Sequence, residues 1–176
     1  FRLYDSSISI DHQAKSAYNI ANINQKQGNS EEVLRYGFFL LDFNHNNTAV
    51  KRRVVILLAD IFLAQDRIDE VIDLLEDRLA EAPYSNVFSL HYKYAIALIE
   101  YQDLERAWSV TKGMEQQFLH LDAKPDIQFE WYLKLASLHK KMRLYASSYA
   151  YYKQCEDLEE RLLNTLNYKN LRLFFN

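Results

Sequence analysis

The sequence is poor in the residues that break helices and in cysteine. Its 176 residues include 3 glycines, 2 prolines and 1 cysteine. So few glycines and prolines leave few of the tight turns that an all-β fold needs, and the periodic segments are rich in strong helix formers such as Leu, Ala, Glu and Lys. We therefore expect an all-α protein. The single cysteine, Cys155, excludes an internal disulfide and a thiolate metal cluster, and we expect it to be a small buried hydrophobic residue.

A long apolar run and an excess of basic charge are also missing. No segment approaches the roughly 18 to 20 apolar residues of a membrane span, and no signal peptide precedes the first periodic segment. The net charge of −3 and the isoelectric point near 6.0 offer no basic stripe for nucleic acid. We expect neither a membrane span nor a nucleic-acid partner. A cytoplasmic location is favoured and an extracytoplasmic or periplasmic one stays open, while the start at Phe1 indicates a piece of a longer protein.

Patterns that carry catalysis or bind metals are missing as well. The five histidines are scattered, without an H-E-x-x-H motif or a pair four residues apart. The sequence has no glycine-rich phosphate loop and no G-x-S-x-G nucleophile motif. Acidic pairs such as Asp69-Glu70 fall on the polar faces of expected helices, where a solvated surface explains them. We expect a protein that is not an enzyme and holds no cofactor or metal.

The sequence does contain a helical hairpin pattern, which is clearest from Val55 to Pro83. Apolar residues recur there at i, i+3, i+4 and i+7 on both sides of a polar break at Gln65-Asp66-Arg67. Two helices of roughly 14 residues, each about 20 Å long, cannot bury both faces against one another, so the hairpin needs stacked neighbours. Four such hairpins are expected in one domain, at about 14–46, 50–83, 87–120 and 127–158, with 1–12 as the end of a preceding helix and 159–176 as a terminal or capping helix.

A recurring alanine sets the register of these hairpins. An apolar residue followed by alanine stands in each first helix, at Ile20-Ala21, Leu58-Ala59, Tyr94-Ala95 and Leu135-Ala136. The residue twelve positions after each alanine is Val33, Val71, Ala107 or Ser148, and four positions further on stands Gly37, Leu75, Thr111 or Tyr152. Small residues at these positions let neighbouring helices approach closely, while their large neighbours fill the adjoining space.

The pattern resembles the tetratricopeptide repeat, which reads W-x2-L-G-x2-Y, then A-x3-F, then P over 34 residues. The second hairpin matches best, with Val55 in the Trp position, Leu58-Ala59 in the Leu-Gly position, Phe62 in the Tyr position, Val71 and Leu75 in the Ala and Phe positions, and Pro83 at the end. In the other hairpins Asn24, Leu98 and His139 occupy the Tyr position, and the periods exceed 34 residues. The resemblance implies a right-handed superhelical solenoid of stacked antiparallel helix hairpins.

The resemblance also implies that the non-core faces of the first helices line a concave groove that holds a peptide or an extended segment. The expected groove residues are Tyr18, Asn19, Asn22, Arg53, Ile56, Asp60, Ser89, Tyr92, Lys93, Ile96, Leu133, Lys134 and Ser137. Their amides, hydroxyls, cations and aliphatic groups can bond a peptide backbone and hold apolar side chains. The expected function is a protein-interaction module that binds a protein or peptide there. Two alternatives stay open: a solvated surface without a ligand, and a regulatory or sensor domain of a larger kinase, diguanylate cyclase or transcription regulator.

The C-terminal part of the sequence continues a helical pattern. From Ser147 onward there is no Gly or Pro, and an apolar stripe predicts a helix of about 30 residues. The expected stripe comprises Tyr149, Tyr152, Cys155, Leu158, Leu162 and Leu166. Its second half either bends at 167–170 and folds back as a cap, pairs with the same helix of a second molecule as a homodimer, or leads into a downstream domain; the cap is favoured because solenoid ends must be covered. A basic surface cluster is expected nearby, at Lys134, His139, Lys140, Lys141 and Arg143.

Overall fold

The computed structural model describes residues 10–43, 47–80, 87–119 and 123–174. The described residues form eight α-helices: α1 (Ile10–Lys26), α2 (Ser30–Asp42), α3 (Thr48–Ala64), α4 (Ile68–Leu79), α5 (Phe88–Glu100), α6 (Leu104–Leu119), α7 (Pro125–Lys141) and α8 (Tyr145–Phe174). No β-strand occurs in these ranges, and the expectation of an all-α protein is confirmed. None of the described helices is both long and apolar enough to cross a lipid bilayer.

Four turns between helices share one backbone conformation. The left-handed residues are Gly28, Asp66, Gln102 and Arg143, with φ of 76°, 56°, 69° and 60°. Each lies seven positions after the recurring alanine. In three of the turns the next amide donates to the carbonyl five residues earlier: Asn29 to Asn24 (2.9 Å), Arg67 to Phe62 (2.9 Å) and Leu144 to His139 (2.8 Å). This bond is the closing bond of a Schellman helix end, so the first helices end at equivalent positions.

The helices that follow these turns begin at equivalent positions too. Their first backbone bonds run from Val33 to Asn29 (3.1 Å), Val71 to Arg67 (3.3 Å), Ala107 to Asp103 (3.1 Å) and Ser148 to Leu144 (3.0 Å). At the third of these positions Asp103 Oδ1 also accepts from the Arg106 amide at 3.1 Å, a side-chain cap. The register predicted from the alanines therefore holds at the backbone level in every repeat.

An asparagine precedes both α2 and α3, but the two side chains behave differently. Asn29 precedes α2, but its side chain makes no cap bond. Its Nδ2 instead donates to Asn24 Oδ1 at 3.3 Å, and Glu32 pairs with Arg35 at 2.5 Å. Asn47 caps α3, because its Oδ1 accepts from the Val50 amide at 3.0 Å.

At the recurring alanine and at the two later positions of the register, burial follows the prediction with one exception. The four alanines are fully buried, as are the three residues Val33, Val71 and Ala107, and Ser148 is nearly so. At the positions four residues further on, Gly37, Leu75 and Thr111 are buried, whereas Tyr152 is exposed. The neighbouring Tyr151 points inward instead, because its hydroxyl finds an acceptor there in the Glu115 carboxylate, at 2.8 Å.

The chain divides into two compact units, Phe1–Tyr101 and Gln102–Asn176. In unit 1, α1 packs against α2, α2 against α3, α3 against α4, and α4 against α5. Helix α3 also contacts both α1 and α5. Eight of the seventeen residues of α3 are buried. Ile20, the apolar residue before Ala21, is exposed, and so is Ile23, because the buried side of α1 runs through Ala14, Ala17 and Ala21.

In unit 2, α7 packs against both α6 and α8. Lys124 is extended, as a residue before proline should be, and Pro125 is the first residue of α7 rather than part of the link before it. Helix α7 therefore begins two residues before the predicted start at Ile127. Proline fits there because its missing N–H would have no partner in the first turn.

Helix α8 has 30 residues, which confirms the predicted length. The expected bend at 167–170 is absent, since α8 is continuous as far as Phe174 and has no Gly or Pro to interrupt it. Cys155 and Leu158 are buried as predicted, but Tyr149, expected on the same stripe, is 68% exposed. The inward-facing side of α8 runs instead through Ser148 and Tyr151.

Candidate functional site

Helices α3 and α5 each leave one strip of side chains accessible. On α5 seven of the thirteen residues are buried, and the half-buried ones include the predicted Ser89, Tyr92, Lys93 and Ile96. On α3 the predicted residues are Arg53, which is exposed, and Ile56 and Asp60, which are half-buried. The residues predicted on both helices therefore lie where a partner can reach them.

Helix α1 adds three predicted residues to this surface. Asn19 is exposed, and Tyr18 and Asn22 are half-buried. Tyr18 also packs against a core cluster that joins α1, α2 and α3, made of Ala21, Val33, Leu57 and Ile61. We call this surface of unit 1 the α1/α3/α5 face; it comprises Tyr18, Asn19, Asn22, Arg53, Ile56, Asp60, Ser89, Tyr92, Lys93 and Ile96.

Two contacts between helices connect this face. The Arg53 guanidinium on α3 lies 5.9 Å from the centre of the Tyr18 ring on α1, a cation–π distance. The Lys93 ammonium on α5 donates to Asp60 Oδ1 on α3. Residues 35 and 33 positions apart in the sequence thus meet on the surface. The structure brings these four predicted residues together in two pairs.

The remaining predicted residues lie on α7, in unit 2. Leu133 is exposed, and Lys134 and Ser137 are half-buried. Lys134 donates to Glu130 Oε1, one turn earlier on the same helix. These three residues form a strip of α7 that we describe separately from the α1/α3/α5 face.

Unit 2 contains a polar cluster that the sequence pattern did not predict. His139, expected on the basic surface, is only 1% exposed. Its Nε2 lies 2.7 Å from Glu115 Oε1, and Tyr151 donates to the same oxygen at 2.8 Å. The other carboxylate oxygen, Oε2, accepts from Lys112 at 2.7 Å. One carboxylate of α6 therefore binds a side chain from α7 and another from α8.

Burial and hydrogen bonding shift the pKa values of Glu115 and Tyr151 in this cluster. Burial raises the pKa of Glu115, but the hydrogen bonds from Lys112, Tyr151 and His139 outweigh it and hold that pKa below the ordinary value. Burial, together with the adjacent carboxylate, raises the pKa of Tyr151. Since an ionised carboxylate only accepts, His139 Nε2 carries a proton and donates it. His139 Nδ1 is buried and has no hydrogen-bond partner among the described residues.

Aromatic rings surround the cluster. Trp108 meets the His139 ring edge-on at 5.7 Å, and the Tyr151 ring lies 5.3 Å from it. Phe118 of α6 stacks on Trp131 of α7 at 5.0 Å. A signal for the burial of His139 existed in the sequence, because it occupies the repeat position in which Phe62 and Leu98 are also buried.

The other groups with chemical potential are dispersed. Cys155 is buried as predicted, its Sγ lies 3.9 Å from the Phe129 carbonyl oxygen, and burial raises its pKa. Burial also lowers the pKa of His91, against a smaller opposing effect of the Val87 carbonyl. His12 is exposed, and the other two histidines, His45 and His120, lie outside the described residues. Within the described ranges no three His, Cys, Asp or Glu side chains are grouped to hold a metal ion.

In comparisons with known proteins, no family model matches this chain and no curated protein matches its sequence.

Proposed function

We propose that this chain is a non-enzymatic protein-interaction module, a tetratricopeptide-like helical repeat that binds an extended segment of a partner protein on the α1/α3/α5 face. The repeat register supports the first part of the proposal. The same alanine burial and left-handed turn residue recur in all four repeats, and repeats of this kind present one helix of each hairpin as a continuous surface.

The observation that carries the proposal is the pair of contacts between helices on this face. Arg53 reaches Tyr18, and Lys93 reaches Asp60, so side chains of three helices form one connected surface. Their mutual contacts restrict the rotamers of long side chains before a partner arrives. Restricting them in advance lowers the entropy lost on binding.

The chemistry of the face suits an extended peptide. The amides of Asn19 and Asn22 each offer a donor and an acceptor, which match the N–H and C=O groups of a peptide backbone. Ile56, Tyr92 and Ile96 offer apolar surface beside them, and all three are half-buried. Such a combination of apolar contacts and a few polar groups is typical of peptide-binding surfaces.

The placement of the reactive side chains supports a non-enzymatic role. His139 and Cys155 are buried, and His139 already binds Glu115. The polar cluster therefore joins three helices of unit 2, and its geometry is that of a structural contact rather than of an accessible site.

A random peptide display library tests the proposal. Binders are selected on the immobilised full chain and their affinities are measured for the chain and for two variants. Tyr92→Ala removes one of the two tyrosine side chains of the face, and we expect it to weaken binding by about tenfold, as for an aromatic contact residue. Tyr145→Ala, in unit 2, removes a tyrosine that is 64% exposed and serves as the matched control. If no peptide binds, or if both variants bind like the original chain, the proposal is wrong.

A further inference from the structure

Charge is segregated between the two sets of helices in unit 1. Helices α1, α3 and α5 carry six Lys and Arg against three Asp and Glu, a net charge of +3. Helices α2 and α4 carry two Arg against eight Asp and Glu, a net charge of −6. The positive helices are those that form the α1/α3/α5 face, although the whole chain is negative, at −3.

Within the face, the charge differs between its two junctions. At the junction of α1 and α3, Arg53 is exposed. Arg53 lies against the Tyr18 ring, and among the described residues no carboxylate pairs with it. At the junction of α3 and α5, by contrast, Asp60 already neutralises Lys93. One junction is therefore cationic, and the other is neutral.

The neutral junction is also the apolar one. Ile56 of α3 lies one turn before Asp60, and Ile96 of α5 lies one turn after Lys93. At the cationic junction, an aliphatic side chain of a partner would displace water from the Arg53 guanidinium, which has no carboxylate partner among the described residues. Burying the same side chain at the neutral junction therefore costs less free energy. The two junctions thus prefer different side chains.

We propose that the partner segment is acidic, with an Asp or Glu at the junction of α1 and α3, beside Arg53, and an apolar side chain at the junction of α3 and α5, beside Ile56 and Ile96. This inference rests on the proposed function. Packed helices lie about 8–10 Å apart, and an extended chain advances about 3.3 Å per residue. The acidic and apolar residues of the partner are therefore about three positions apart.

The test uses peptides selected from the display library on the full chain. We expect the selected peptides to carry Asp or Glu about three positions from an aliphatic or aromatic residue. Arg53→Glu weakens their binding by about tenfold, because the attraction between Arg53 and the acidic residue of the peptide becomes a repulsion. Arg53→Gln weakens it less, because it only removes the attraction. The control is Arg78→Glu on α4, which makes the same charge change away from the face and leaves the affinity within about twofold. Circular dichroism melting of each variant verifies that it is folded.

The outcomes separate the two proposals. Peptides that bind, lose affinity in Tyr92→Ala, and yet show neither an acidic excess nor any response to the Arg53 variants would leave the binding face standing and overturn the acidic partner. An equal loss in Arg53→Glu and Arg78→Glu would overturn it as well, because only overall charge would then matter. A chain that selects no peptide at all contradicts the proposed function itself.

Discussion

His139 Nε2 lies 2.7 Å from Glu115 Oε1 and connects α7 to α6 in the interior of unit 2. The same oxygen accepts from Tyr151 of α8. Three helices therefore depend on one carboxylate being ionised, and this dependence makes the stability of unit 2 sensitive to acid.

We expect the free energy of unfolding to decrease when the pH is below 4.5, the ordinary pKa of glutamate. The pKa of Glu115 is lower in the folded chain than in the unfolded chain, so its contribution is complete above the unfolded value and is lost as the pH falls through the folded one. Glu115→Gln should cost about 1–3 kcal/mol at neutral pH and weaken this pH dependence. Urea unfolding at several pH values measures both. An unchanged acid slope in the variant would show that Glu115 is not the responsible group.

The cluster shows why a sequence pattern predicts helices more accurately than it predicts contacts between polar side chains. Helix periodicity depends on neighbours three and four residues apart, and it correctly predicted the buried Ala21 and Ala136. The burial of His139 depends instead on Glu115 and Tyr151, which lie 24 and 12 positions away. Tyrosine is ambiguous for the same reason, since Tyr151 points inward and Tyr149 outward on the same helix.

A second prediction concerns Gly37, where α2 approaches α3. A Cβ atom at this position would lie 2.5 Å from Leu58 Cδ2. Gly37→Ala should therefore destabilise the chain by about 1–3 kcal/mol, because the overpacking exceeds the gain in helix propensity. Gly113→Ala on α6 is the control, since its Cβ would meet nothing within 4 Å, and it should stabilise by up to about 1 kcal/mol. Thermal unfolding distinguishes them, and equal effects of the two substitutions would contradict the close approach.

A third prediction concerns the left-handed turn at Arg143, with φ of 60°. Glycine adopts this conformation without the steric cost that other residues bear, so Arg143→Gly should stabilise the chain by about 1 kcal/mol. The same change at the exposed Lys140, inside α7, should destabilise it by about 1 kcal/mol. Chemical denaturation of both variants provides the comparison. A loss of stability in Arg143→Gly would show that its side chain has a role that the turn geometry does not explain.

The single cysteine permits a fourth prediction. Cys155 is buried, and burial raises the pKa of its thiol, so little thiolate is present and a reagent reaches it slowly. We expect labelling by a thiol-specific chromogenic reagent to be at least about tenfold slower in the native chain than in denaturant. Comparable rates in the two conditions would mean that α8 leaves Cys155 accessible.

The sequence pattern indicated which residues of α3 and α5 are accessible, but not the contacts between them. Because α3 and α5 are buried on most sides, the periodic pattern left few positions for accessible residues, and Arg53, Tyr92 and Ile96 were among them. The pairing of Lys93 with Asp60 was not predicted, since it depends on how far apart α3 and α5 pack. The charge difference between the two junctions follows from that pairing, so the sequence alone did not indicate it.

The most direct test of the central proposal is a chemical-shift titration of the isotope-labelled chain with the tightest selected peptide. Amide shifts report which residues the peptide approaches. We expect the largest changes on the α1/α3/α5 face, at residues such as Asn19, Arg53 and Lys93, with the amides of α4 unchanged. Largest changes on α2 and α4, with the α1/α3/α5 face unaffected, would contradict the account.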